Sequence, residues 1–228
     1  MNADLDIFAL GRHALAETRA AFAGRAFFTA TRRLHGDGSF SGPRLAVCSL
    51  IEETDLAAVG GLRAAQQAGA NTLMASLAGS AAAEAAHLGL RTLIRVPFAP
   101  DEPEAERGAR LDRLCRLCDE LPGVDGVVPS PTAEPDGLDT LAFFAACRRQ
   151  CKDRHVVVDL DLLGHKLGQL CLSFGADEIL GPIASERPLR LGAHASSTWV
   201  TREEAALLLR VSGFVPCERL PEGKVQEL

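Results

Sequence analysis

A chain of 228 residues that is 47% hydrophobic can bury a full core, and one domain is the expected organisation. Its 30 acidic residues outweigh 24 Lys and Arg, and the formal net charge of −6 argues against non-specific nucleic-acid binding, which needs clustered cations. No apolar run approaches the roughly 20 residues that span a bilayer, and "MNADLDIFALGRH" lacks a signal peptide's basic start and cleavage site, so a cytoplasmic protein without membrane attachment is expected.

A helix over "LDIFALGRHALAETRAAFAG" opens the chain, and "RAFFTAT" follows as a short strand. A Gly-rich turn, "HGDGSFSGP", leads into the strand "RLAVCSL". From there helices and strands alternate: "DLAAVGGLRAAQQAGA" is a helix, "NTLMASL" a strand, "SAAAEAAHLG" a helix and "LRTLIRVPF" a strand. In "EPEAERGARLDRLCRLCDEL", Leu111, Leu114, Cys115, Cys118 and Leu121 recur at helical spacing and draw one apolar stripe. The strand "GVDGVVPS", the helix "LDTLAFFAACRRQC", the strand "HVVVDLDLL", the helix "KLGQLCLSFGA" and the strand "DEILGPI" continue the pattern. In "TREEAALLLRVSG", Thr201 and Glu204 form a capping box and Gly213 is placed to end the last helix.

Strands alternating with helices through short turns predict a parallel sheet with right-handed crossovers. Six βα units are visible from "RLAVC" onward. The expected fold class is α/β: a reduced TIM-type (β/α) barrel of about six parallel strands with an N-terminal and a C-terminal helix. Within one domain, 1–43 form the N-terminal helix and strand, 44–183 the (β/α)6 partial barrel and 184–228 the helical tail.

Most of the chain, in near-collinear order, resembles the radical S-adenosylmethionine enzymes of the futalosine route to menaquinone, aminofutalosine synthase and dehypoxanthine futalosine cyclase. More distantly it is similar to the deazaflavin-cofactor synthases. "HVVVDLDLLGHKLGQLCLSFGADEILGPI" carries the clearest piece, with Gly164, Gln169, Phe174, Gly175, Ala176, Asp177 and Gly181 on the family's motif. Glu102, Glu106 and Arg107 match its Glu…Glu-Arg pattern. Between Gly79 and Ala86 the family carries more chain, about two βα units on the eight-unit barrel plan.

The departures fall where the family's chemistry sits. The resemblance implies three cysteines that hold an iron–sulfur cluster. Here Cys48 keeps the first place, with Glu52 and Asp55 in the other two. Hard carboxylates do not replace thiolates on such a centre. The family's Gly-Gly cofactor cradle reads Leu77–Ala78, its aromatic-Gly-His stretch reads Phe98–Ala99–Pro100, and its Tyr-Trp pair reads Asp159–Leu160. No cofactor is therefore expected, and no radical chemistry.

Several residues remain as candidates. Cys48, Glu52 and Asp55 read either as a divalent-metal or substrate-ammonium site at a strand's C-terminal end, or as a buried thiol followed by acids at a helix start. Asp159 and Asp161 share one face if the strand runs through them, which makes them a proton-transfer pair or a cation site. Arg95 is a charge inside an apolar strand, expected to hold a substrate anion or to pair internally with these acids. Asp177 and Glu178 resemble the family's acidic pair and join Arg95 and Glu52 as expected substrate-binding residues. His35, His165 and His194 have no ligand spacing; Cys115/Cys118 and Cys147/Cys151 lie on apolar helix faces and read as core packing.

Two functions follow. One is a non-catalytic protein that binds a small anionic or nucleoside-like molecule, or pairs with itself as a homodimer or with a futalosine-pathway enzyme across strand edges opened by the missing barrel units. The other is a repurposed, cluster-free enzyme using Arg95 with Asp159 and Asp161 for acid–base work on a small anionic metabolite.

Overall fold

A computed structural model describes residues 6–44, 46–77, 80–100, 102–121, 123–184, 199–220 and 223–228. In chain order the elements are α1 (Ile7–Ala21), β1 (Arg25–Leu34), β2 (Phe40–Ser41), β3 (Cys48–Glu52), α2 (Leu56–Val59), α3 (Leu62–Gln67), β4 (Thr72–Ser76), α4 (Ala81–His87), β5 (Arg91–Phe98), α5 (Glu104–Glu120), β6 (Val124–Pro131) and α6 (Gly137–Gln150). The second part holds β7 (His155–Asp159), α7 (Leu160–Leu172), β8 (Glu178–Gly181), β9 (Ile183–Ala184), β10 (Val200–Thr201), α8 (Arg202–Val211), β11 (Val215–Arg219) and β12 (Val225–Glu227). Among the described residues no helix is long and apolar enough to cross a membrane.

The reduced TIM-type barrel expected from the alternation is present, and it is closed. The strands β1, β3, β4, β5, β6, β7 and β8 pair in parallel in that order, and β1 returns to pair with β8. The ring therefore has seven strands: the six expected units plus "RAFFTAT", which belongs to the barrel rather than to a separate N-terminal piece. One strand serves both neighbours because β1 is ten residues long: Phe27–Ala30 lie against β8, and Thr31–Leu34 against β3. The seam corrects the expectation of opened barrel edges, since no barrel strand is left without a neighbour on either side. The edge of the extended sheet is instead β12, antiparallel to β11, which runs beside the first half of β1.

The strands are short and apolar because both of their faces are buried. Outward-facing residues join the helices in one large core that includes Phe28, Ile51, Leu73, Ile94, Val127, Phe143, Phe144 and Ile179. Inward-facing Cys48, Leu50, Met74, Leu93, Val128, Val157 and Leu180 form a second, separate cluster that plugs the barrel's middle. Side chains alternate along a strand, so the next inward positions lie two residues away. Toward the C-terminal ends these are Glu52, Arg95, Ser130 and Asp159; toward the N-terminal ends they are Arg91, His155 and Glu178. An apolar plug thus separates two charged layers, one at the barrel mouth and one at its base.

The helix ends follow their local chemistry. Asp6 caps α1, Asp136 caps α6, and Thr201 with Glu204 closes the capping box of α8. Asp159 ends β7 and caps α7, so "HVVVDLDLL" is strand only as far as Asp159 and the helix starts at Leu160, six residues before the expected start at Lys166. Gly164 breaks α7 with φ 68° and ψ 174°, a backbone conformation that side chains resist.

Candidate ligand site at the barrel mouth

Five ionised side chains converge at the C-terminal ends of the strands. Arg33 reaches across the mouth from β1: Nη1 donates to Glu52 Oε1 at 2.9 Å, Nη2 to Asp159 Oδ2 at 2.6 Å and Nε to Asp161 Oδ2 at 3.3 Å. Arg95, from β5, donates through Nη2 to the same Glu52 Oε1 at 2.6 Å and through Nη1 to Ser130 Oγ at 3.3 Å. Glu52 is therefore the bridge between two guanidinium groups, with one oxygen accepting from both. Asp159 is 1% exposed, whereas Arg33, Glu52, Arg95 and Asp161 retain 21%, 25%, 26% and 37% exposure and face solvent.

Three carboxylates meet two guanidinium groups, a local balance of −1. Burial works to lower the Arg33 pKa, but the charges of Asp159, Asp161 and Glu52 outweigh it and hold Arg33 firmly protonated. Burial, and then the neighbouring charge of Asp159, push the Asp161 carboxyl above the usual range, with Arg33 opposing them. Asp161 is also the acid of the mouth most open to solvent.

The sequence candidates Arg95, Glu52, Asp159 and Asp161 all lie in this group. Arg33 was missed, although the inward alternation Thr29–Thr31–Arg33 along β1 carries the signal. The two aspartates do not share a strand face, because Asp161 lies in the first turn of α7; Arg33 is what joins them.

Asp177 and Glu178, expected with Arg95 and Glu52 as substrate-binding residues, lie at the opposite end of the barrel. They precede or open β8, and in a parallel barrel that places them at the base. Glu178 is fully buried, accepts from Arg91 Nη1 and Nη2 at 2.9 and 2.7 Å, from Arg219 Nε at 3.0 Å and from Thr29 Oγ1 at 2.7 Å. Arg219, Arg91 and His155 overcome the effect of burial and hold its carboxyl well below the usual carboxylate range. Asp177 pairs with the fully buried Arg148 and with His155 Nδ1, and accepts from Val156 N at 2.8 Å. Arg148 also donates to the Gly175 carbonyl at 2.8 Å. This network explains much of the "FGADE" stretch as structural. At Gly175 φ is +105°, and an added Cβ would stand 2.6 Å from the Arg148 Cβ.

The family's cluster implies three thiolates held in one loop, and the residues present do not fit it. Cys48 sits in the apolar plug, roughly 13 Å below Glu52 at about 3.3 Å per strand residue. Burial pushes its thiol up, which keeps the proton on the sulfur. Glu52 is engaged by two arginines, and Asp55 lies in a 3-10 turn outside the strand. Among the described residues, the three bring no common set of donor atoms within 4.8 Å; the group that does so is Asp125, His155 and Glu178 at the base. There Arg91 and Arg219 already neutralise the carboxylates, so a cation would have to displace guanidinium groups.

The remaining candidates are dispersed. His35 bonds Ser41 Oγ at 2.7 Å in the β1–β2 hairpin, His165 lies on α7, and His194 and Ala78 fall outside the described residues. Cys118 and Cys151 hydrogen-bond to each other within the core that also holds Cys147, and Cys115 is half-buried. Arg107 pairs with Asp139, and Glu102 with Arg110.

This closed (β/α) barrel is that of known enzymes. It superposes on methylornithine synthase with a TM-score of 0.66 at 12% identity, covering 95% of this chain and 90% of that one. The FeFe-hydrogenase maturase HydG aligns with a TM-score of 0.59 at 9% identity over 95% of this chain and 69% of that chain. The same maturase from Carboxydothermus hydrogenoformans gives 0.57 at 12% identity, over 92% and 74% of the respective chains. No protein-family model matches the chain. The likeness to these structures is one of fold. In sequence the chain is 26% identical, over 148 residues and 58% of its length, to the aminodeoxyfutalosine synthase of Thermus thermophilus, of which the match spans 40%.

Proposed function

We propose that the chain is a cluster-free barrel that binds a small charged metabolite at its mouth through Arg33 and Arg95 on one side and Asp159 and Asp161 on the other. The observation that carries this reading is the convergence of five ionised, mostly solvent-facing groups at the strand C-termini, the end where such barrels keep their sites. A scaffold needs no such layer: the apolar plug already fills the barrel beneath it. The alternative of a protein that pairs with a pathway enzyme or with its own copy drew on strand edges opened in the barrel; with the β1–β8 seam closed, such pairing would use the β12 edge instead.

A second reading is supported by Asp161. Its raised pKa and its exposure suit a general acid or base acting on a ligand that the arginines hold. Binding comes first in both readings, so one experiment addresses the common ground. In a thermal-shift screen of nucleosides, small carboxylic acids and amino acids, the expected result is stabilisation of the native protein by one chemical class and loss of that shift in Arg95→Ala. A screen in which nothing stabilises the native protein, or in which Arg95→Ala responds as the native protein does, contradicts the proposal.

A further inference from the structure

The mouth contains a carboxylate already seated between two guanidinium groups, and it belongs to the protein. Glu52 Oε1 receives Arg33 Nη1 at 2.9 Å and Arg95 Nη2 at 2.6 Å. Oε1 is the only Glu52 oxygen engaged among the described hydrogen bonds. Arg33 does not depend on Glu52 to remain neutralised, because Asp159 and Asp161 hold its other nitrogens. Arg95 is different: its other described partner is the neutral hydroxyl of Ser130. A guanidinium whose carboxylate is removed at a quarter-exposed site attracts another anion, and planar carboxylates match its donor geometry best.

Glu52 also sits where movement is easy. It is the last residue of β3, its side chain is a quarter exposed, and the chain turns into a short 3-10 segment immediately after it. A rotation of its side chain toward solvent empties the slot without disturbing the apolar plug two residues below, where Leu50 is fully buried.

We infer that the slot between Arg33 and Arg95 is the subsite for the carboxylate of a small ligand, and that Glu52 is a resident stand-in which such a ligand must displace. This deepens, and rests on, the reading of the mouth as a ligand site. Its consequence is a specificity and affinity filter. A carboxylate competes with an intramolecular one, so weak monoacids are excluded, and a ligand gains entry by adding contacts elsewhere, with Asp161 placed to receive a cationic or protonated group. Removing the Glu52 charge takes the mouth from three carboxylates against two guanidinium groups to two against two. Anion entry then restores the original balance.

The test uses the full chain and two variants, Glu52→Gln, which keeps the shape, and Glu52→Ala, which empties the slot. Succinate and inorganic phosphate are the probes, titrated calorimetrically at matched ionic strength, with the double variant Glu52→Ala/Arg95→Ala as control. Succinate is expected to bind Glu52→Ala about fivefold more tightly than the native protein, the order of one competing ion pair. Glu52→Gln is expected to fall between, the double variant to lose the gain, and phosphate to gain less than succinate. Equal succinate affinity in the native protein and both Glu52 variants overturns the stand-in role, and a phosphate gain as large as succinate's overturns the carboxylate assignment. If a compound from the thermal-shift screen binds through Arg95 while Glu52→Ala leaves its affinity unchanged, the stand-in fails and the mouth site survives. If neither that screen nor these titrations detect binding to any form, both fall.

Discussion

Glu178→Gln removes one negative charge from the base of the barrel and leaves the shape intact. The carboxylate it replaces is fully buried and receives three guanidinium hydrogen bonds from Arg91 and Arg219, besides the Thr29 hydroxyl. Arg91 keeps Asp125 at 2.6 Å, but Arg219 is then left with Asp125 at 3.9 Å. Removing one partner of a buried ion pair costs ~3–5 kcal/mol, because the surviving charge stays desolvated. For a chain of this size about 2–4 °C of Tm accompanies each kcal/mol, so the melting temperature is expected to fall by roughly 6–20 °C. The pH dependence has a definite sign. The folded carboxyl is held below its unfolded value, so its contribution is fully present above the ordinary Glu range near ~4.3 and is lost as pH falls through that range toward the folded value. Urea denaturation of native and variant protein between pH 7 and pH 3 checks both the size and the sign. A loss under about 1 kcal/mol at pH 7 would refute the claim that this network ties the base together. So would a gap between native and variant that widens on acidification.

Other outcomes follow from single contacts. Gly175→Ala must place a Cβ 2.6 Å from the Arg148 Cβ at a φ of +105°, and a loss of ~2–4 kcal/mol in chemical denaturation is expected. Leu93→Ala hollows the apolar plug from a fully buried position and is expected to cost ~2–5 kcal/mol by the same measurement. Arg95→Ala, at the quarter-exposed mouth, is expected to change stability by no more than about 1 kcal/mol while abolishing ligand-induced thermal shifts, a separation that a purely structural arginine would not show.

The α/β alternation made most of the barrel legible, because buried parallel strands and amphipathic helices each leave a local pattern. What the pattern lacks is the seam. The pairing of Phe27–Ala30 with Glu178–Gly181 joins the two ends of the barrel, and the Gly-rich turn after Leu34 makes "RAFFTAT" look detached. Arg95, Glu52 and Asp159 were readable as charges at strand C-termini. Asp161 met them for another reason, since the boundary between β7 and α7 falls before it and Arg33 spans the gap. Asp177 and Glu178 were expected as substrate-binding residues through their likeness to the family motif, which names no layer of the barrel. Their place before a strand rather than after it was the better guide, since it puts them at the base. Arg148, a charge on an apolar helix, gave no local sign of the backbone carbonyls and the buried carboxylate it holds.

A mouth that binds a charged ligand through two guanidinium groups and three carboxylates does not hold an iron–sulfur cluster. Anaerobic reconstitution with iron and sulfide, followed by determination of bound iron and of S-adenosylmethionine cleavage, tests this most directly. The donor set of one buried thiol, one carboxylate held by two arginines and one aspartate outside the strand predicts a colourless protein with iron at the level of a Cys48→Ala control and no cleavage. A brown protein with stoichiometric iron and sulfide that cleaves S-adenosylmethionine would contradict it.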